Sequence, residues 1–520
     1  MRIIFAALAA SLCLGNLAAA SDLPVKADVL EQNWNARTVG VNNLIGLERI
    51  NDMVRPDSSG QLMIDLRDLT TLLDGAQIDP ADIYGKVHVG PYPFEADETD
   101  YRYRRYRKTV DLEQGVAELP VDYFFGSETN SEDWTDSGQL AVRAELYLSK
   151  EGPDRQIGVY DTTVRFRRQG EGYITLPTIV DGPAVGLVKS ERPDRVVISF
   201  RMTDAVPGAV VLGDGRRFGG DQVAKDFEIE VTGLEPDAEY TYRIDYGDAL
   251  GEKQSFRTAP KPGEGKFVMA FTSDSRSGAG GGTYRYMGVN YKTLERLAAL
   301  AYSHGAQVFL MGGDLVDGYT TVKNDFDAQL HAWKQAMNGF MRERPVYPAM
   351  GNHETLLNVF MNPDGSDGVA LDKWPYDTHS AEAAMARAFV NPANGPEPSD
   401  PRRPTYSENV FSFQYGPVLS IAFNNNYWYT NAAARFGGCP EGYLFQDQLD
   451  WIQSELERAE ADPTIKYIFL YAQEPVFPNG GHVEDAMWYH GNNNIRAHSM
   501  IDGELTPEDK GLLDVRNEFV

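Results

Sequence analysis

The rhythm of apolar and polar positions changes twice along the chain. Between about residues 21 and 170 it predicts helical patches at 44–54 and 66–73, then strand-like alternation over 140–148 and 159–166. From 176 to 262 short β-branched runs, at 195–201, 227–232 and 240–245, alternate every second residue between turns. Such runs at regular spacing predict an antiparallel β-sandwich. Pro260-Lys261-Pro262-Gly263 then reads as a linker. After Gly265 strands alternate with helices. Strands are expected at 266–273, 308–312 and 345–350, and helices at 286–303 and 324–341. In the first helix Leu294, Leu297, Ala298 and Ala301 fall on one face. Residues 361–404, rich in Pro, Asp and Asn, read as an insertion or long loop. Strands at 410–415 and 418–423, a helix at 445–461, a strand at 467–472 and a helix from Thr506 onward complete the pattern.

The architecture this predicts is multidomain: 21–175 of unread role, a β-sandwich over 176–262, and a layered α/β domain over 265–520. The loops at the sheet ends of an α/β layer are the usual place for a site. Residues 1–20 stand apart. Arg2 precedes an apolar run over 3–14, and Ala18-Ala19-Ala20 closes it, the pattern of a secretory signal cleaved after Ala20. A buried or membrane helix fits less well, because the run is short and broken by Ser11, Gly15 and Asn16. The expected protein is exported, to the periplasm or medium. Cys13 leaves with the signal, so Cys439 stands alone and no internal disulfide is expected.

Composition narrows the partners. With 48 basic and 76 acidic residues the net charge is −28, which repels nucleic acid and anionic membranes, so neither is expected to bind. An anionic substrate needs local positive charge at its site.

Three predicted strands end in residues suited to metal: Ser273-Asp274-Ser275-Arg276, Gly312-Gly313-Asp314-Leu315-Val316-Asp317 and Gly351-Asn352-His353-Glu354. Carboxylate, amide oxygen and imidazole suit hard and borderline cations, and one carboxylate can bridge two ions about 3.5–4 Å apart. Each fragment alone also reads as a helix cap or a turn. In this order they resemble the calcineurin-like metallophosphoesterases. Residues Gly233-Leu234-Glu235-Pro236-Asp237-Ala238-Glu239-Tyr240 look like part of a fibronectin type III domain, and with that sandwich ahead of it the chain is most similar to the purple acid phosphatase branch.

The resemblance implies two metal ions, such as iron, zinc or manganese. Asp274 would bind the first, Asp314 would bridge both, and Asn352 would bind the second while touching phosphate. His353 would serve the leaving group, oriented by Glu354. It further implies in-line attack by a metal-bound hydroxide on a small phosphate mono- or diester, without a covalent phosphoenzyme. Four positions depart from the family pattern. Arg276 stands where many relatives carry His, either to grip phosphate or to pair with a carboxylate. Asp317 replaces a metal-binding Tyr, either as a carboxylate ligand or as a helix cap, with Tyr319 nearby as an alternative phenol. Gln473, in Tyr471-Ala472-Gln473-Glu474-Pro475, replaces a His ligand of the second metal. The closing Gly-His-x-His is absent, and Gly481-His482-Val483-Glu484 is a partial imitation. The α/β domain therefore reads as incomplete, the alternative being a chain that has lost the motif.

His304 and His331 read as structural; His379, His482, His490 or His498 remains as a substitute ligand. Tyr427-Trp428-Tyr429 reads either as the lining of a substrate pocket or, the better fit, as packing beneath the insertion. The reading is an exported dinuclear-metal phosphohydrolase. Its alternative is an exported binding protein with a degenerate phosphatase-like domain.

Overall fold

The computed structural model describes residues 35–92, 106–126, 134–148, 155–186, 193–247, 249–277, 286–361 and 368–520. The expected signal at 1–20 lies outside them. In the N-terminal region the alternation around 140–148 becomes a long strand, Ser137–Leu148, paired antiparallel with Arg155–Gln169. These two are central in a five-stranded sheet, completed by Lys108–Leu112, Ile83–Pro91 and Gly172–Leu176. Leu140, Val142, Ala144 and Leu146, two residues apart, are all buried, as the pleat requires.

Both helices expected in this region are corrected. Only Leu47–Asn51 of the first patch is helical. Residues 66–73 form turns instead, with Leu66 and Leu72 buried but the Thr70-Thr71 pair opposing a helix.

The runs at 195–201, 227–232 and 240–245 are parts of longer strands, Arg195–Leu212, Arg217–Thr232 and Glu239–Tyr246, in a six-stranded antiparallel sheet spanning Ile179–Gly186 to Gln254–Arg257. A register shift between Arg201 and Val206 breaks the longest ladder. Val196, Ile198 and Phe200 share one apolar core with Val210, Tyr242, Ile244 and Phe256 from beyond it.

The C-terminal region is mixed α/β. Val268–Thr272, Ala306–Met311 and Val346–Pro348 form a three-stranded parallel sheet, and Phe411–Tyr415, Val418–Ala422 and Tyr467–Tyr471 form a second sheet. Helices Tyr291–Ser303, Lys323–Met341 and Gln446–Ala461 accompany them. The first buries Leu294 and Ala298, four residues apart, whereas Leu297 lies 37% exposed at the margin of the face expected for it. The presumed loop at 361–404 contains a strand, Val369–Asp372, and helices Tyr376–His379 and Ala381–Ala388, while 362–367 lie outside the described residues. Ser380 caps the longer helix, its Oγ accepting from Ala383 N at 3.1 Å. Tyr427 and Trp428 are buried beneath this segment, with Trp428 Nε1 donating to the Tyr376 hydroxyl at 2.9 Å.

The helix expected from Thr506 starts later, at Leu512–Phe519. Glu504–Pro507 is a strand paired with His498–Ile501. Asp502-Gly503, both at positive φ, makes a two-residue hairpin turn between them.

One apolar core runs from Leu44 through the N-terminal sheet residues Leu146 and Phe166 to Phe326, Trp333 and Phe389. Asn43 reinforces it, donating from its main-chain and side-chain nitrogens to Asp325 Oδ1 at 2.7 and 2.9 Å. Among the described residues no helix is long and apolar enough to cross a membrane.

Candidate active site

Parallel register sets Thr272 opposite Met311 and Met311 opposite Pro348, so the three strands end level. The residues that follow meet along one edge. Asp274 N donates to the Gly313 carbonyl at 3.1 Å, and Arg276 N to the Asp314 carbonyl at 3.0 Å. Space there is scarce. A β-carbon on Gly313, where φ is +111°, would fall 2.8 Å from Gly351 N, and one on Gly351 would fall 2.3 Å from Asp314 Oδ1. Only glycine lets these two loops touch. Asp274 and Asp314 themselves sit at φ 58° and 53°. Left-handed backbone at a non-glycine residue costs on the order of 1 kcal/mol or more and is held by the surrounding contacts.

At Asp314, Glu354 supplies those contacts. It is 1% exposed, and its carboxylate accepts four main-chain N–H bonds: Asp314 and Gly351 at 2.8 Å on Oε2, Leu315 at 2.8 Å and Val316 at 3.1 Å on Oε1. Burial, with the Asp314 charge, pushes its carboxyl up, while the N–H groups pull the other way. Its role differs from the expected orienting of His353, because both oxygens are committed to the backbone.

His353 is oriented by Asp317 instead. Its Nδ1 lies 2.7 Å from the Asp317 carbonyl. A carbonyl only accepts, so Nδ1 carries a proton and Nε2 is the nitrogen left to gain or release one. Nε2 lies 3.9 Å from Asp314 Oδ2. Asp317 is not a helix cap, since the next helix starts at Lys323 behind Val322. Arg276 Nε lies 3.2 Å from Asp314 Oδ2 with 38% of its side chain exposed, so the pairing with a carboxylate is realised. Burial pushes the Asp314 carboxyl up, opposed by His353 and Arg276.

Tyr319, expected only as an alternative phenol, and Glu441, which the sequence does not single out, complete the edge. Asn352 Nδ2 donates to the Tyr319 hydroxyl at 3.0 Å, and that hydroxyl donates to Glu441 Oε1 at 2.7 Å. The Tyr319 ring meets His353 edge-on at 4.9 Å. Burial and then the Glu441 charge hold the Tyr319 phenol well above its usual range. Tyr319 was visible in the sequence as a nearby phenol. Glu441 lies in an irregular loop more than a hundred residues away and carries no periodic signal.

Gln473 closes the set. Its Nε2 lies 3.4 Å from Asp274 Oδ1, while its Oε1 is buried without a hydrogen bond among the described residues. An amide oxygen lacking a donor, on a side chain that reaches Asp274, adds to the oxygen atoms of this edge. Asp274, Asp314, Asn352 and Gln473 thus fit hard or borderline cations. Of the other histidines, His331 lies 3.9 Å from Asp181 and His379 Nδ1 contacts Thr378 Oγ1, while His498 is in the strand His498–Ile501. Cys439 is free and buried.

A family model described as calcineurin-like phosphoesterase matches residues 270–498. No curated protein is matched. Among solved structures, one titled as PhoD is similar at 17% identity and a TM-score of 0.36, covering 57% of this chain and 62% of its own. A dimetal phosphatase from Danio rerio is similar at 11% identity and a TM-score of 0.29, covering 48% of this chain and 88% of its own. The chain thus spans less than two thirds of the PhoD structure.

Proposed function

Because residues 270–498 form a calcineurin-like phosphoesterase domain, we propose that the chain hydrolyses small phosphate mono- or diesters at the edge built by Asp274, Asp314 and Asn352. The observation that carries this reading is the oxygen set itself, with Gln473 Oε1 buried and without a hydrogen bond among the described residues. Asp274, Asp314, Asn352 and Gln473 would hold the metal ions, iron, zinc or manganese by their chemistry. Bound there, the ions supply Lewis acidity at the phosphoryl group.

The chain's own groups do the rest. Asp317 holds His353 Nδ1–H, so Nε2 gives a proton to the departing oxygen. Arg276 keeps one nitrogen on Asp314 and has others to offer an anionic ester, offsetting the charge of −28. Tyr319, fixed by Glu441, sets the direction of the Asn352 amide. Residues 1–20 support export of the protein.

The test is reconstitution. The full chain, stripped with a chelator, is inactive and regains hydrolysis of p-nitrophenyl phosphate or its diester with added zinc, manganese or iron. Asp314→Asn lowers retention of both ions, since a neutral amide does not hold two cations as a carboxylate does; elemental analysis reads this directly. Two ions retained in full by the variant contradict the assignment. The alternative, a binding protein with a degenerate site, draws on the Arg276–Asp314 pair, in which a built-in cation neutralises the carboxylate. It is favoured if no metal restores activity.

Colour gives a second check. Asp317 stands where the resemblance expects a metal-binding Tyr, and the Tyr319 hydroxyl is engaged in donating to Glu441, so the iron-loaded chain is expected to have no strong tyrosinate band. A green-to-yellow band that vanishes in Tyr319→Phe shows the phenol to be a ligand after all.

A further inference from the structure

Glu474 follows Gln473 past the end of the strand Tyr467–Tyr471 and is 4% exposed. Asn425 clamps its main chain, donating from Nδ2 to the Glu474 carbonyl at 2.9 Å and accepting from Glu474 N at 3.3 Å. These bonds leave the side chain out. The Glu474 carboxylate receives no hydrogen bond and no ion pair among the described residues. The carboxylates of Glu441, Asp485, Asp314 and Asp274 all act on it as like charges. A buried anion in such company is costly unless a cation joins it.

Facing Glu474 is the segment that imitates the missing terminal motif. His482, Asp485 and Glu474 each offer one ligand atom, and the three atoms lie within 4.8 Å of one another. His482 Nδ1 and Asp485 Oδ1 are 3.0 Å apart. Tetrahedral ligands about 2.1 Å from zinc stand about 3.4 Å from each other, so small side-chain rotations close the triangle on an ion. The segment itself is fixed from below, since a β-carbon on Gly442 would strike the Ala486 carbonyl at 1.8 Å. A His482–Asp485 pair at the surface is worth about 0–1 kcal/mol on its own and gives no reason for a third ligand atom, from the largely buried Glu474, within 4.8 Å of it.

We infer that Glu474, His482 and Asp485 hold a divalent cation of the zinc class, beside the Asp274–Asp314 edge and through ligands that edge does not use. One imidazole nitrogen with two carboxylate oxygens is a zinc-like set that leaves a position open. The inference does not depend on the phosphoesterase reading.

The experiment is zinc binding to the chelator-stripped full chain, with elemental analysis for stoichiometry and Co2+ as the visible probe. His482 has 57% of its side chain exposed, so His482→Ala leaves the fold intact. Expected is one zinc equivalent fewer in His482→Ala than in the parent. The affinity of that equivalent falls by at least the roughly 10–100-fold that losing a mere hydrogen-bond partner of a ligand costs. A second pair separates this site from the other. Asp274→Asn/Asp314→Asn keeps one equivalent, and adding His482→Ala removes it with a change in the Co2+ spectrum. The inference is overturned if His482→Ala binds as the parent does, or if Asp274→Asn/Asp314→Asn binds no zinc. It is also overturned if Glu474→Gln binds as tightly as the parent, which reduces Glu474 to a neutral buried acid.

Discussion

His353→Ala lowers turnover of the metal-loaded chain by about 10²–10⁴-fold, the scale of general acid catalysis, on an ester with a poor leaving group. Metal content stays at the parent level, because the imidazole is held by the Asp317 carbonyl and not by the oxygen ligands. The deficit shrinks on p-nitrophenyl esters, whose leaving group departs without help. The comparison of alkyl and nitrophenyl substrates therefore separates proton donation from simple loss of binding. A variant turning over alkyl esters at the parent rate removes His353 from the mechanism.

Glu354→Ala costs about 3–5 kcal/mol of stability, the scale of breaking a buried charged network by removing one partner. Four main-chain donors lose one shared acceptor, and each buried unsatisfied donor costs about 1–3 kcal/mol before water repairs some of the loss. Two of those donors belong to Asp314 and Gly351, so the loop holding the bridging carboxylate loosens with the fold. Thermal unfolding and elemental analysis on the same preparation check it: both the midpoint and the bound metal fall. Glu354→Gln, which keeps one acceptor oxygen, falls between parent and Ala. A Glu354→Ala chain with the parent midpoint and metal content sinks this account.

The site was legible where it is local and illegible where it is not. Asp274, Asp314 and Asn352-His353 each follow a short apolar run, and strand punctuation of that kind survives in one dimension. The partner of His353 did not, because the bond is to the Asp317 carbonyl and every residue has one. Glu354 was noticed but given the wrong task, since acidic side chains in sequence suggest ligands or orienters rather than backbone anchors. Glu441 was missed because only the tertiary fold carries its loop to Tyr319. In the fold the errors share one cause. Apolar residues at 66–73 and the polar stretch at 361–404 were read by period and composition alone. Two threonines in the first and a serine cap in the second decide the local outcome, as the Asp502-Gly503 turn does ahead of the last helix.

The single core reaching from Leu44 to Phe389 separates two ideas of a module. The stretch that the family model matches, 270–498, shares this apolar interior with residues that precede it. Cut out at those limits, it would bare the faces of Phe326 and Trp333 that Leu44 and its neighbours share a core with, and Asp325 would lose Asn43. The matched stretch is smaller than the unit that shares one core. A change in the motif-free N-terminal region is therefore felt at the helix Lys323–Met341, and through it by the strands that carry the site.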